Sequence, residues 1–303
     1  SKTSTTTNGK KVILSKSPED KLGDSSDNGS VTTSGTSDID NTVSKGDKSV
    51  STVASDPEIP KINVKWFDTK LKAKDPKEAK IQRPKMLIDG EAGVGKTMFS
   101  LRFPNSYYID CEGGATGNHY TDILKKSGGA YLGIEDGALD FPTVIEQFKA
   151  LASEEHNFKT VIIDSISKLF NSAVATEAET LGDKDVFGAS RKKPIAQMRQ
   201  LLNWTNRIDM NVVFVAHTKV EYGSDGKGGR TEIGKIYDCW DKLGYELHLW
   251  IQVFKQGASR KARVKKSRLV GFPDAEVFDF DYETFSAKWG KDIIEAKAEK
   301  IEL

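Results

Sequence analysis

Between two apolar stretches the chain reads Gly90-Glu-Ala-Gly-Val-Gly-Lys-Thr97, three glycines closing on a lysine and a hydroxyl residue. Residues 85–89 ahead of it read as a short buried strand and 97–102 after it as a helix, so the segment is the turn of a strand–loop–helix unit. Gly90, Gly93 and Gly95 remove the Cβ atoms that would stop the backbone from curling tightly. Such a curl aims consecutive N–H groups at one point, beside the positive end of the following helix, and makes an anion cradle. The spacing G-x-x-x-x-G-K-[ST] suits the phosphates of a nucleotide. Lys96 is expected to reach the β- and γ-phosphates and the Thr97 hydroxyl to ligate Mg²⁺, with Gly90, Glu91, Ala92, Gly93, Val94, Gly95 and Met98 lining the cradle. ATP or GTP binding is the expectation.

A length of 303 residues allows one or two domains, and a net charge of +1 excludes a global attraction to polyanions, so any nucleic-acid surface must be local. Cys111 and Cys239 are too few and too far apart for a disulfide framework or a zinc knuckle, and neither has a base at a suitable spacing. They read as small apolar fillers of a reduced, cytoplasmic protein. No apolar run approaches the ~18 residues of a membrane span, and the polar start does not read as a signal peptide.

Residues 1–57 are rich in Ser, Thr, Asp, Gly, Asn and Lys, with no aromatic before Trp66. Such a stretch cannot bury enough apolar surface to offset chain entropy, and a disordered N-terminal arm is expected. A solvated tail and an arm with a protein partner are both open. Residues 58–84, with Ile62, Val64, Trp66 and Phe67 ahead of a Lys-rich stretch, read as a lead-in packed on the core. From 85 to 292 short apolar runs alternate with amphipathic stretches, the pattern of an α/β domain with a mostly parallel sheet flanked by helices. Strands are expected at 85–89, 106–110, 159–164, 211–217, 246–254, 259–267 and 275–281, and helices at 141–152 and 194–208. The last strands follow one another without long helices, so the sheet should end in antiparallel hairpins. A charged helix is expected over 291–303, with 293–303 standing outside the domain.

Thr160-Val-Ile-Ile-Asp164 is a buried strand ending in a carboxylate, the arrangement that holds Mg²⁺ through its water shell opposite Thr97. Ser106-Tyr-Tyr-Ile-Asp-Cys-Glu-Gly-Gly114 is the second strand and its exit. Glu112 is expected at the carboxyl end of a strand adjacent to the P-loop strand, where it could orient and deprotonate an attacking water. Asp110 competes for that role if the strand runs regularly through Cys111, and the glycines after Glu112 argue that it does not.

Tyr108-Ile-Asp-Cys-Glu112 and Ile162-Ile-Asp-Ser-Ile-Ser-Lys-Leu169 resemble the RecA-family pattern of a strand ending in Asp-x-Glu and a Walker B strand continuing as Asp-Ser. The resemblance covers about 85–270 and implies a RecA-like P-loop NTPase core in which Glu112 is the catalytic base. Val212-Val-Phe-Val-Ala-His217 is similar to the next family strand, which ends in a polar sensor of the γ-phosphate linked to a DNA-binding loop; the resemblance gives His217 that role. The spacing from P-loop to Glu is closer to compact phage RecA-like ATPases of single-strand annealing and recombination than to bacterial RecA.

The same resemblance places single-stranded DNA contacts in the Gly-rich stretch 219–230, with Tyr222 and flanking basic residues, and in 182–193, ending in Arg191-Lys192-Lys193. A plain hairpin tip remains the alternative for the first, since Glu221 and Asp225 oppose its basic charge. The run 255–268 holds seven basic residues and no acid. Strand alternation sends Lys261, Arg263 and Lys265 to one face and Arg260, Lys266 and Arg268 to the other. Lys266-Ser-Arg268 resembles the Lys-Asn-Arg of DnaB-type hexameric helicases and the paired lysines of RecA, which implies catalytic cations reaching a neighbour's γ-phosphate in a homo-oligomer, filament or ring. A solvated basic hairpin touching DNA stands beside that reading. Taken together, the sequence reads as a Mg²⁺-dependent ATPase working on single-stranded DNA in phage-type recombination or annealing. A hexameric helicase motor or helicase-associated ATPase, and a nucleotide-switched scaffold with negligible hydrolysis, are the alternatives.

Overall fold

Five short runs of mostly apolar residues build the centre of a sheet: β1 (Lys85–Gly90), β2 (Ser106–Asp110), β4 (Thr160–Asp164), β5 (Asn211–Ala216) and β8 (Leu249–Gln256). The computed structural model describes residues 75–76, 82–224, 226 and 228–301. The expected arm at 1–57, and the lead-in apart from 75–76 and 82–84, lie outside the described residues. With β3 (Ala130–Leu132), β9 (Ser259–Ser267) and β10 (Val277–Asp279) the sheet has eight strands in the order β10-β9-β8-β1-β5-β4-β2-β3. The pairings from β8 through β3 are parallel, and the β8–β9 and β9–β10 pairings are antiparallel. This is the mostly parallel, helix-flanked sheet expected, with its antiparallel end.

Because side chains alternate across a strand, one sheet makes two cores. Leu87, Ile109, Val161, Ile163, Val212 and Phe214 pack on one face with Phe141, Phe148, Phe170, Met198 and Leu201. Those partners come from α3 (Phe141–Ser153), α4 (Ile166–Leu181) and α5 (Lys192–Arg207). Met86, Ile88, Tyr108, Ile162, Val213 and Val215 point the other way, toward Phe99 of α1 (Lys96–Ser100), Leu124 of α2 (Asn118–Ser127), and Phe285 and Trp289 of α7 (Tyr282–Trp289). Buried on both faces, the central strands read as continuous apolar runs. Asp140 and Ser165 cap α3 and α4 by accepting the N–H groups of Thr143 and Lys168.

Four details depart from the sequence expectation. First, β2 is not adjacent to β1: β5 and β4 stand between them. Chain order says nothing of strand order once helical crossovers connect parallel strands, so sequence neighbours need not pair. Second, residues 218–237 form a separate antiparallel hairpin of β6 (Thr218–Ser224) and β7 (Arg230–Tyr237). Third, the C-terminal helix α8 spans only Lys291–Glu295, and the chain through Ile301 is not helical. That segment is instead tied to the core by its backbone: carbonyls of Ile293, Ala296 and Lys297 accept from the buried Arg83 guanidinium, which also pairs with Asp209. Fourth, a short helix α6 (Leu243–Glu246) precedes β8 where strand was expected to begin.

Parallel strands end at one edge, and there Gly90, Asp110, Asp164 and His217 come together. Lys85, His248 and Arg268 gather at the opposite edge, joined by the backbone bonds His248 N to Lys85 O and Arg268 N to His248 O, both 2.9 Å.

Candidate active site

The loop after β1 can close only because of its glycines. A Cβ on Gly90 would stand 2.5 Å from the Val253 carbonyl oxygen, and Gly95 enters α1 at φ 95°, in the left-handed region. Lys96 Nζ donates to the carbonyls of Gly90 (2.8 Å) and Glu91 (2.9 Å), so its ammonium is bent over the loop. Burial pulls its pKa down, against the opposing pull of Asp164, Glu112 and Asp89. Around the loop lies a cavity of about 560 Å³ whose wall includes Lys96, Thr97, Glu112, Asp164, His217 and Arg260.

Thr97, the first residue past the lysine, donates its hydroxyl to Asp164 Oδ2 at 2.5 Å, and the Tyr108 hydroxyl lies 3.4 Å from the same oxygen. Asp164 is buried, which raises its carboxyl to about 6 despite the Thr97 bond. A hydroxyl and a buried carboxylate side by side are the hard oxygen donors that Mg²⁺ takes, and a cation there would offset the cost of that buried charge. Among the described residues no cluster of three or more His, Cys, Asp or Glu could cage a metal. The pair therefore fits an ion held by one or two protein oxygens together with phosphates and water.

Asp110 and Glu112 have separate surroundings. The Asp110 carboxylate accepts four backbone N–H groups, from Glu112 (3.1 Å), Gly113 (2.9 Å), Gly114 (3.1 Å) and Ala115 (2.6 Å), and so folds the strand exit around itself. That turn swings Glu112 into the cavity, where its Oε1 meets His217 Nε2. The Ser165 hydroxyl is 3.2 Å from the same nitrogen, and the Ser167 hydroxyl accepts the His217 backbone N–H at 2.8 Å. Pairing with His217 lowers Glu112 to about 2, and the same bond raises His217 above its ordinary 6.5.

A further carboxylate had no place in the sequence reading. Asp89, fully buried at the end of β1, accepts from Trp250 Nε1 (2.6 Å), Gln252 Nε2 (3.0 Å) and the Thr218 hydroxyl (3.3 Å). Burial raises its pKa against these bonds. It joins the P-loop to β8 and to the root of the β6–β7 hairpin, and Lys235 of β7 pairs with Glu91 of the loop. An acid directly before Gly90, ending a buried strand as Asp164 does, was the available signal.

The cations of β9 divide by position. Lys266 donates to the carbonyls of Leu247 and Tyr245, and Arg268, just past the strand, donates to Tyr245 O at 2.6 Å. A bulge opposite Trp250 and Ile251 interrupts the strict alternation expected of this strand. Both residues lie at the edge of the sheet away from their own P-loop, the length of β1 away or roughly 17–20 Å at about 3.3 Å per residue. Arg260, at the other end of β9, lies against Gly95 instead.

Of the two expected DNA segments, the hairpin carries an exposed Tyr222 and Ile233, with Lys219 held near Asp238 at 3.4 Å. Positions 225 and 227 lie outside the described residues. In 182–193 short 3-10 turns at Gly182–Lys184 and Ala189–Arg191 flank a fully exposed Phe187, and Arg191 covers the Phe170 ring.

Residues 82–251, more than half of the chain, match the AAA_24 family, an AAA domain, and the chain belongs to that family. The fold is a mostly parallel sheet flanked by helices, with a phosphate-binding-type loop at the end of its central strand β1. Among solved structures, the chain is similar to the RadB recombinase, at 17% identity over 72% of this chain and 90% of that one, with a TM-score of 0.42. It is also similar to an ATPase from the type III secretion system of pathogenic bacteria, at 14% identity over 57% of this chain and 52% of that one, with a TM-score of 0.37. No curated protein matches it. No helix among the described residues is long and apolar enough to cross a membrane.

Proposed function

We propose that this protein binds ATP with Mg²⁺ at the loop 90–97, hydrolyses it, and couples the cycle to single-stranded DNA as a homo-oligomer, in phage-type recombination or strand annealing. The observation that carries the reading is the pairing of Glu112 with His217 at the wall of the cavity that also holds Lys96, Thr97 and Asp164. In this reading the loop N–H groups and Lys96 bind the phosphate chain. Thr97 and Asp164 hold Mg²⁺, which when bound neutralises charge on the phosphates. Glu112 accepts a hydrogen bond from water and aims its oxygen, and His217, carried by the strand that leads into the β6–β7 hairpin, relates the occupied site to that hairpin. Lys219, Tyr222 and Arg230 of the hairpin supply the charge and stacking that single strands need.

A second reading has its own observation. A carboxylate held at about 2 is a weak proton acceptor, which favours a nucleotide-switched scaffold with negligible turnover. Calorimetry and turnover assays with Mg²⁺-ATP separate the two. Lys96→Ala should abolish binding. Glu112→Gln should keep binding and slow turnover by about 10²–10⁴, the range for a lost positioned base. No turnover in the unmutated protein with single-stranded DNA present selects the scaffold, and undiminished affinity in Lys96→Ala removes both readings.

A further inference from the structure

Seven basic residues crowd the β8–β9 hairpin and its exit, and their side chains are not equivalent. Lys261 pairs with Asp279 at 2.7 Å, Arg263 covers the Phe254 ring at 5.5 Å, and Lys265 covers the Trp250 ring at 5.7 Å. Lys266 and Arg268 are bound to the carbonyls of 245 and 247. Arg260 differs from these five, as does Lys255 beside it: among the described residues the Arg260 guanidinium has no carboxylate, carbonyl or ring partner, and of the two it is Arg260 that lies against a P-loop glycine. Its backbone is fixed, since its carbonyl accepts Phe280 N–H at 3.0 Å and it sits opposite Lys255 in the hairpin. Its face of β9 is that of the buried Ala262 and Val264, the inward face, although Arg260 itself stands exposed at the end of the strand. At this end of the strand, inward means over the P-loop. A Cβ placed on Gly95 would be 3.3 Å from Arg260 Cδ and 3.2 Å from its Nε, so the side chain lies on the glycine that opens α1.

We infer that Arg260 is a second phosphate-binding cation of the nucleotide site, supplied by the same chain as the P-loop, and that it grips the part of the phosphate chain retained in the diphosphate product. This rests on the nucleotide-binding reading above. The sheet order argues for that part. Glu112 and His217 approach from the β5–β4–β2 side of β1, whereas β9 approaches from the β8 side, so Arg260 and the water-orienting carboxylate flank the loop from opposite directions. A guanidinium offers a planar fork of donors that matches phosphate oxygens two at a time, which an ammonium cannot. Gly95 is required for its left-handed backbone, and a Cβ there would also press the Arg260 stem aside by a few tenths of an ångström.

The test is calorimetric titration of the full chain with Mg²⁺-ATP and with Mg²⁺-ADP, beside turnover at saturating ATP. Arg260→Ala should weaken both nucleotides by similar factors, roughly 10–100-fold as for charge-assisted hydrogen bonds, and leave saturated turnover within a few-fold. Arg260→Lys should fall between, keeping the charge without the fork. Arg260→Gln keeps most of the stem, and comparing melting curves of the nucleotide-free variants separates a folding defect from a binding one. Equal affinities in wild type and folded Arg260→Ala or Arg260→Gln would overturn the inference and leave the nucleotide reading standing. So would a collapse of turnover with ADP affinity unchanged, because that places Arg260 on the transferred phosphate. If the wild type binds neither nucleotide, the reading beneath falls and takes the inference with it.

Discussion

Glu112 and His217 meet across a strand: they follow β2 and β5, which are separated by β4, and Ser165 at the exit of that middle strand is 3.2 Å from the imidazole nitrogen that Glu112 contacts. Three consecutive strand ends thus build one polar chain beside the P-loop. Each partner favours the charged form of the other, so the pair lowers the acid and raises the base.

The imidazole of His217 should therefore titrate above its ordinary 6.5, and in Glu112→Gln it should drop to that value or below, because burial is then the largest remaining cause, reinforced by Lys96 and opposed only by Asp164. Nuclear magnetic resonance titration of the ring protons measures it. For stability the signs are opposite for the two groups. The His217 contribution is complete below 6.5 and is lost as pH rises through its raised value; the Glu112 contribution is complete above its ordinary 4.5 and is lost as pH falls through about 2. The pair stabilises most between 4.5 and 6.5, and weakly, since both side chains are partly exposed. An unmoved His217 titration in Glu112→Gln would mean that the two do not meet in solution.

Asp110→Asn should cost stability, not chemistry alone. Its carboxylate serves four backbone donors, and the amide brings a donor of its own into that nest. A loss of about 1–3 kcal/mol in urea unfolding is expected, with Glu112→Gln close to wild type in the same measurement. The reverse ranking would make Glu112 the structural acid of the pair.

The site's main components were legible because each follows from spacing along one strand or loop: the cradle 90–97, Asp164 at the end of an apolar run, and the Asp-x-Glu exit at 110–112. What escaped depends on the order of strands in space. Asp89 draws its meaning from Trp250 and Gln252, more than 150 positions away. Arg260 looked like one of several basic residues until the pairing of β9 with β8 brought one end of that strand over Gly95. The strands of the β6–β7 hairpin escape the sequence, beyond the hairpin tip left open as an alternative at 219–230, because glycines and mixed charge mask a weak alternation that no core reinforces.

Lys85 offers a pH test remote from the site. Its ammonium is buried at the start of β1 and donates to the carbonyls of Ile208 (2.7 Å) and Met210 (2.6 Å), and burial lowers its pKa from 10.5 to about 7. Between those values the unfolded chain binds the extra proton, so stability should rise as pH is raised from about 7 toward 10.5. Chemical denaturation across that range should show the rise in wild type and a flatter profile in Lys85→Met. Parallel profiles would place Lys85 in contact with water.

Arg268 can act on ATP only in a neighbour, since the sheet separates it from its own P-loop. If it is a finger, it must leave the Tyr245 carbonyl that now holds it, and assembly would supply the reason: a triphosphate on the adjoining subunit attracts a guanidinium more than a peptide oxygen does. Arg268→Ala should then lower turnover by as much as roughly 10³–10⁵ while ATP affinity stays nearly intact, because a cation at the γ-phosphate favours the charge of the transition state over that of bound ATP. Mixing decides the direction. Glu112→Gln subunits still present Arg268, and Arg268→Ala subunits still present Glu112, so mixed assemblies should regain activity at interfaces that pair an intact Glu112 with an intact Arg268. A cation that only touches DNA gives a different record: Arg268→Ala lowers affinity for single strands and flattens its salt dependence, turnover without DNA is normal, and mixing restores little. That second outcome would move Arg268 from the nucleotide of a neighbour to the nucleic acid.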